Sequence, residues 1–281
     1  MIKKGLFVFA LLFAAYSIFL VLNKQQWRSV QYQYQGNIIK SDRYIYADVT
    51  PKAAMIGTSL SGLIENDSIP GVYNLAMPGM SMFDGFNIIS KRKEAPSKIF
   101  IEINYFFKGQ NNDFAHAYDS PISIFLNNNF RAMRPENQPM GILRHIITSK
   151  PDGKKNAAAI EEKELPATVF NELLQNEKKK YNHPDTNVIK NAIINLRAAI
   201  KTIQETNRNT KFYFFEMPVN SSLENLPLAI FTRESIKKNF PSIPLMHLPP
   251  TSFKSRDGIH LEKKEVSIYL KYFREFLETG K

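Results

Sequence analysis

Residues 5–22, GLFVFALLFAAYSIFLVL, are 18 consecutive positions without a charge, and no other feature restricts the fold of this chain as strongly. At about 1.5 Å per residue, a helix of that length crosses most of a hydrocarbon layer about 30 Å thick. A helix apolar on every side has no face to turn towards water. A cleavable signal has an apolar region of about 7–15 residues and then a small-x-small site. Here Ala14 and Ala15 fall inside the run, and no such site comes after Leu22. The expected reading is a retained single-pass anchor over residues 1–23, ahead of a cleaved signal or a buried soluble helix. Lys3 and Lys4 favour a cytoplasmic N-terminus, although Lys24 and Arg28 flank the other end.

Beyond the anchor the chain reads as a globular domain, since 43% of all residues are hydrophobic and 22% are charged. There is no cysteine, which excludes disulfides and thiolate metal sites. The net charge of +11 favours anionic neighbours such as lipid head groups or acidic polymers. Basic residues are nevertheless interleaved with carboxylates, as in KRKE at 91–94 and EEKE at 161–164. They read as a solvated face, and no nucleic-acid partner is expected.

Residues 24–50, Gln-rich and without a firm period, read as a membrane-proximal linker. From 51 to 281 short apolar runs alternate with helical patterns. KAAMIGTS (52–59), VYNLAMPG (72–79), KIFIEINYFF (98–107), KFYFFEMPV (211–219) and the weaker IPLMHLP (243–249) predict five strands. In 187–207, Ile189, Ile193, Leu196, Ile200 and Ile203 recur every three or four positions, the apolar stripe of an amphipathic helix. In 263–280, Val266, Tyr269, Leu270, Phe273 and Leu277 do the same, with Gly280 as the stop. Strands alternating with helices predict an α/β sandwich around a mainly parallel sheet, with a ligand site beyond the carboxyl ends of the strands. Residues 108–185, Asn-rich and interrupted by prolines at 121, 135, 139, 151 and 166, are too long for a connection. They read as a mostly helical insertion that covers the site, with helices near 141–149 and 167–181.

Two stretches carry chemistry. In MIGTSLSG (55–62), Ser59 follows the Gly57 turn, while Ser61 is placed to cap a helix beginning near Leu60. In SRDGIHLEKKE, Asp257 and His260 stand three apart before the last helix. Such a turn holds one imidazole nitrogen on the carboxylate and leaves the other to accept a proton. His116 and His145 lie in the insertion and are not expected to bind metal, His183 reads as a loop residue and His247 as a packed one, so no metal or other cofactor is expected.

A Ser turn after the first strand, Gly79 after the second, Asn104 at the end of the third and Asp-x-x-His before the last helix occur in that order. This resembles the SGNH/GDSL hydrolase-like superfamily. The resemblance covers roughly 50–107 and 208–281 and implies a three-layer, flavodoxin-like α/β/α fold with a five-stranded sheet. It implies Ser59 as nucleophile, His260 as general base supported by Asp257, and an oxyanion hole from the Ser59 and Gly79 N–H groups and the Asn104 side chain. The first block departs from Gly-Asp-Ser at Thr58, and the third reads IEINYF where the family has Gly-x-Asn-Asp. Glu102 alternates with Asn104 and is either a second polar group at the site or a surface residue. Among anchored relatives the resemblance implies an extracytoplasmic O-acyltransferase or esterase. Its expected substrate is an acylated cell-envelope or secreted polysaccharide, with a membrane acyl-donor protein as a further partner. The alternative is a catalytically silent domain that binds polysaccharide or scaffolds a membrane acyltransferase.

Overall fold

The computed structural model describes residues 2–23, 33–148 and 165–279. Contacts divide the chain into two units, which are described in turn.

The larger unit holds residues 48–111 and the described residues from 165 onwards. Its centre is a four-stranded, all-parallel sheet of β1 (Ala53–Ile56), β2 (Val72–Asn74), β3 (Lys98–Glu102) and β4 (Lys211–Phe215), in the order β2-β1-β3-β4. The strands are nearly continuous apolar runs, as parallel strands covered on both faces must be. The expected fifth strand does not form. Around 243–249 only an isolated bridge joins Leu245 to Phe214, because Pro244, Pro249 and Pro250 bring no N–H donors to a ladder. His247, expected to be packed, is exposed there beside buried Met246.

Two helices show how the sheet is covered. α3 (Met82–Ser90) starts with a capping box between Ser81 and Asp84 and packs on β1. The helix comes so close that a Cβ on Gly85 would lie 2.6 Å from Ile56 Cγ2. On the other strand parity, Phe100 and Phe215 each meet Phe273 edge-on. Phe273 belongs to the last helix, Lys263–Thr279. The stripes read from the sequence are in place. Ile189, Ile193, Leu196, Ile200 and Ile203 of the helix Thr186–Thr206 are all buried. In the last helix Val266, Tyr269, Leu270 and Phe273 are buried, and Phe276 completes the stripe where Leu277 is only half-buried. Gly280 lies outside the described residues.

The smaller unit comprises the described residues up to 47 and those from 112 to 148. It contains α1 (Ile2–Leu22), α2 (Gln33–Ile45), α4 (Asn112–His116), α5 (Pro121–Asn129) and α6 (Pro139–Thr148), with single 3-10 turns at Arg131–Met133 and Pro135–Asn137. The segment expected to be a linker therefore contains a helix, which buries Ile39 and Tyr44. The expected insertion also divides. Its first part belongs to this unit, whereas α7 (Ala167–Asn182) belongs to the larger one. The remaining helices of the larger unit are α8 (Thr186–Thr206), α9 (Ser221–Glu224), α10 (Pro227–Asn239) and α11 (Lys263–Thr279).

Asp42, in α2, is 1% exposed, and its Oδ2 has no hydrogen-bond partner among the described residues. Burial, reinforced by the negative charge of Glu136, pushes its carboxyl up to about 7, against the smaller opposing pull of Tyr118 and Arg134. With a folded pKa above the unfolded value, the folded chain holds a proton that the unfolded chain releases as pH rises from about 4 to 7. Stability is therefore lost over that window and levels off above it, by about 4 kcal/mol. Asp42→Asn should raise the denaturation midpoint at pH 8 and change it little at pH 4. Equal shifts at both pH values would show that Asp42 is not protonated in the fold.

Candidate active site

The turn after β1 is built around a buried carboxylate. Glu102, the last residue of β3, is 1% exposed. Its Oε2 accepts from the Thr58 N–H (3.0 Å), the Ser61 N–H (3.0 Å) and the Ser61 hydroxyl, and its Oε1 accepts from the Thr58 hydroxyl (2.7 Å). Of the two roles open to it from the sequence, Glu102 therefore has the buried one: it is no surface residue. Thr58 and Ser61 are tied down on either side of Ser59, so the intervening Ser59 is presented by a rigid loop. Ser61 is not the expected helix cap. Only a 3-10 turn, Ser61–Leu63, comes next, without a side-chain cap, and the carboxylate takes the Ser61 hydroxyl instead.

Gly57 makes room for this arrangement. A Cβ there would lie 2.5 Å from Glu102 Oε2 and 2.6 Å from Glu102 Cβ. Gly57→Ala is expected to cost about 1–3 kcal/mol, the usual scale of overpacking. Chemical denaturation checks this, and a loss below about 0.5 kcal/mol on that scale would show that the turn relaxes freely. Asn74, at the end of β2, braces the far side of the turn. Its Nδ2 donates to the Ser61 and Ile64 carbonyls at 2.8 and 2.7 Å, and its Oδ1 accepts from the Ala76 N–H at 2.8 Å.

The chain from 255 to 261 returns on itself, with Ser255 bridged to Leu261 and the Arg256 N–H bonded to the His260 carbonyl at 2.7 Å. Gly258 sits at its tip with φ 98°, a left-handed conformation that L side chains rarely adopt. Inside the turn, Asp257 Oδ1 accepts from the backbone N–H groups of Ile259 (3.2 Å) and His260 (2.8 Å). Asp257 Oδ2 lies 2.7 Å from His260 Nδ1. Burial alone would raise the Asp257 pKa, but the ring and backbone N–H bonds and the His260 charge outweigh it and hold the carboxyl at about 2. An ionised carboxylate only accepts, so Nδ1 carries the hydrogen and Nε2 of the neutral ring keeps a lone pair. That Nε2 is 2.8 Å from Ser59 Oγ, across 201 positions of sequence. Ser59, His260 and Asp257 thus form one hydrogen-bonded line.

The remaining expected residues fare differently. Gly79 lies in the loop after β2 with φ 79°, and its carbonyl accepts from Lys108 Nζ at 2.6 Å. Neither the Ser59 nor the Gly79 N–H has a hydrogen-bond partner among the described residues. Asn104 does another job from the one expected. Its Nδ2 donates to the Met217 carbonyl and its Oδ1 accepts from the Met217 N–H, both at 2.8 Å. The carboxamide extends the β3–β4 pairing one step past the strands, just before Pro218 makes further pairing impossible.

Sequence reasoning missed Asn74 altogether and gave Glu102 no definite role. The signal for Glu102 was present, a carboxylate inside an otherwise apolar strand end. The arrangement holds a hydroxyl against a carboxylate-oriented imidazole, which is what generating a serine alkoxide requires. The chain matches no protein-family model, no curated protein and no solved structure.

Proposed function

We propose that Ser59, His260 and Asp257 form the acyl-transfer triad of an SGNH-like domain. The carrying observation is the unbroken line from Ser59 Oγ through His260 to Asp257, at 2.8 and 2.7 Å. Ser59 Oγ attacks the carbonyl carbon of an ester while its proton passes to His260 Nε2. The tetrahedral intermediate expels the alcohol, which takes that proton, and an acyl-Ser59 ester remains. Water or a sugar hydroxyl then attacks the acyl carbon, again losing its proton to His260, and Ser59 is regenerated. The unpartnered N–H groups of Ser59 and Gly79 are the oxyanion donors in this reading, each worth on the order of 3 kcal/mol in the transition state. Asn104, occupied by Met217, is left out of that role.

The fold reading that accompanies this is a three-layer α/β/α core, with α3 on one side of the sheet and α11 on the other. α1 serves as a retained anchor, since among the described residues it alone is long and apolar enough to cross a membrane. The Ser59 domain then works outside the cytoplasm on an O-acyl, most simply acetyl, group of an envelope or secreted polysaccharide, and in the transfer direction a membrane acyl-donor protein supplies that acyl group while the polysaccharide hydroxyl accepts it. Transfer is favoured over hydrolysis on the family analogy alone. The rival, a silent polysaccharide-binding or scaffolding domain, draws on the diversion of Asn104 to Met217.

Labelling with a fluorophosphonate decides between them. Wild-type protein and Ser61→Ala should react at Ser59, whereas Ser59→Ala should not react. Labelling that persists in Ser59→Ala removes the nucleophile, and a folded wild type that never reacts leaves the scaffold.

A further inference from the structure

We infer that the smaller unit lies partly immersed in lipid, with α5 and α6 forming an in-plane membrane-contacting surface beside α1. The inference rests on the reading of α1 as a membrane anchor, and concerns what else enters the bilayer with it.

α1 is 21 residues long, about 31 Å as a helix, which matches one hydrocarbon thickness. Its second half is not free. Phe13 meets Phe130 edge-on at 5.9 Å, the Tyr16 hydroxyl donates to the Asn137 carbonyl at 2.6 Å, and Leu20 is buried in a small cluster with Ile142. From Phe13 to the end of α1 is about 15 Å of helix, half of the hydrocarbon layer. A helix that spans the layer and is packed over that length carries the 130–142 segment into the leaflet at its C-terminal end.

The side chains flanking that contact suit the depth. Ile122 and Phe125 on α5 and Met140, Leu143, Ile146 and Ile147 on α6 are exposed at 72, 60, 70, 48, 53 and 71%. Along each helix they recur three or four positions apart, so each helix presents one exposed apolar face, and exposed apolar surface of this kind marks an interaction site. Its charge supports lipid as the occupant. Residues 121–148 contain one carboxylate, Glu136, which is paired with Arg43 at 3.0 Å, against Arg131, Arg134 and Arg144. Apolar side chains among basic residues with almost no free acid is the pattern of an interfacial segment on anionic lipid.

The absence of cysteine allows single-site labelling of the full chain. Phe9→Cys, Phe125→Cys and Ile146→Cys, each carrying the fluorophore NBD, would be reconstituted in phosphatidylcholine–phosphatidylglycerol vesicles with or without doxyl-labelled lipid. At all three positions, doxyl lipid is expected to quench emission at least twofold, and aqueous iodide is expected to have little effect. Quenching at Phe9→Cys with water-like, iodide-accessible emission at Phe125→Cys and Ile146→Cys would overturn the inference and leave the anchor intact. Water-like emission at all three sites would remove the anchor and the inference together. Blue-shifted emission at 125 and 146 without doxyl quenching would also overturn it, since a second copy of the chain would then be covering the patch.

Discussion

Asp257→Asn is expected to slow the proposed acyl transfer by about 10⁴-fold without unfolding the protein, on the scale measured when the orienting carboxylate of a serine triad is neutralised. The Asn oxygen can still accept from the Ile259 and His260 backbone N–H groups that Oδ1 holds at 3.2 and 2.8 Å. The turn therefore survives. Its amide hydrogens, however, face His260 Nδ1 where Oδ2 now sits at 2.7 Å. The ring then places its hydrogen on Nε2, which donates to Ser59 instead of receiving from it. Single-turnover acylation, with circular dichroism to verify folding, measures this. A rate within about tenfold of wild type would mean that Asp257 does not set the tautomer. The same carboxyl contributes to stability. Its pKa lies below the unfolded value, so the contribution is complete above about 4 and is lost as pH falls towards 2.

Glu102→Ala should be the most damaging single change near the site, and Glu102→Gln a far milder one. Removing the carboxylate strands the Thr58 and Ser61 N–H groups, both in a buried turn. At about 1–3 kcal/mol for each stranded donor, with charge-assisted bonds lost besides, the expected cost is of the order of 5 kcal/mol. The Thr58 and Ser61 hydroxyls can turn to other acceptors, but the two N–H groups cannot. Glutamine keeps one oxygen for the three donors now on Oε2 and loses only the acceptor facing the Thr58 hydroxyl, at about 1–2 kcal/mol. Denaturation midpoints give the stability ranking. The rate of fluorophosphonate labelling of Ser59 in Glu102→Gln tests positioning separately, with a several-fold drop expected in a protein that remains folded. Equal stability of the Ala and Gln variants would rule out the carboxylate as the clamp of this turn.

Much of the framework was legible in the sequence because it rests on local patterns. A run of 18 uncharged residues can only be a very apolar helix, and stripes at spacings of three and four bury one side of α8 and α11. Four apolar runs became β1 to β4 where they were expected. The fifth failed because an apolar run indicates burial, whereas a strand also requires N–H donors that its prolines lack. The helix inside the stretch read as a linker was not legible for a related reason. α2 is polar over most of its length and is held by tertiary burial of Ile39 and Tyr44, not by a period strong enough to detect.

The site divides along the same line. Asp257 and His260 are three residues apart, so their mutual contact is a local property of the turn and could be read directly. That Ser59 Oγ meets His260 Nε2 is a contact across 201 positions: β1 carries Ser59 beyond its carboxyl end, and the 255–261 turn is held to the segment after β4 by the Asn220 N–H on the Gly258 carbonyl. Ser59, Gly79 and Asn104 could be named from the sequence, but the hydrogen bonds that each makes could not. Asn104 was diverted to Met217 because β4 ends beside it, and Ser61 was diverted to Glu102 because β3 lies next to β1. A side chain's residue type states which hydrogen bonds it is able to make. Only the tertiary structure decides which partner comes within reach.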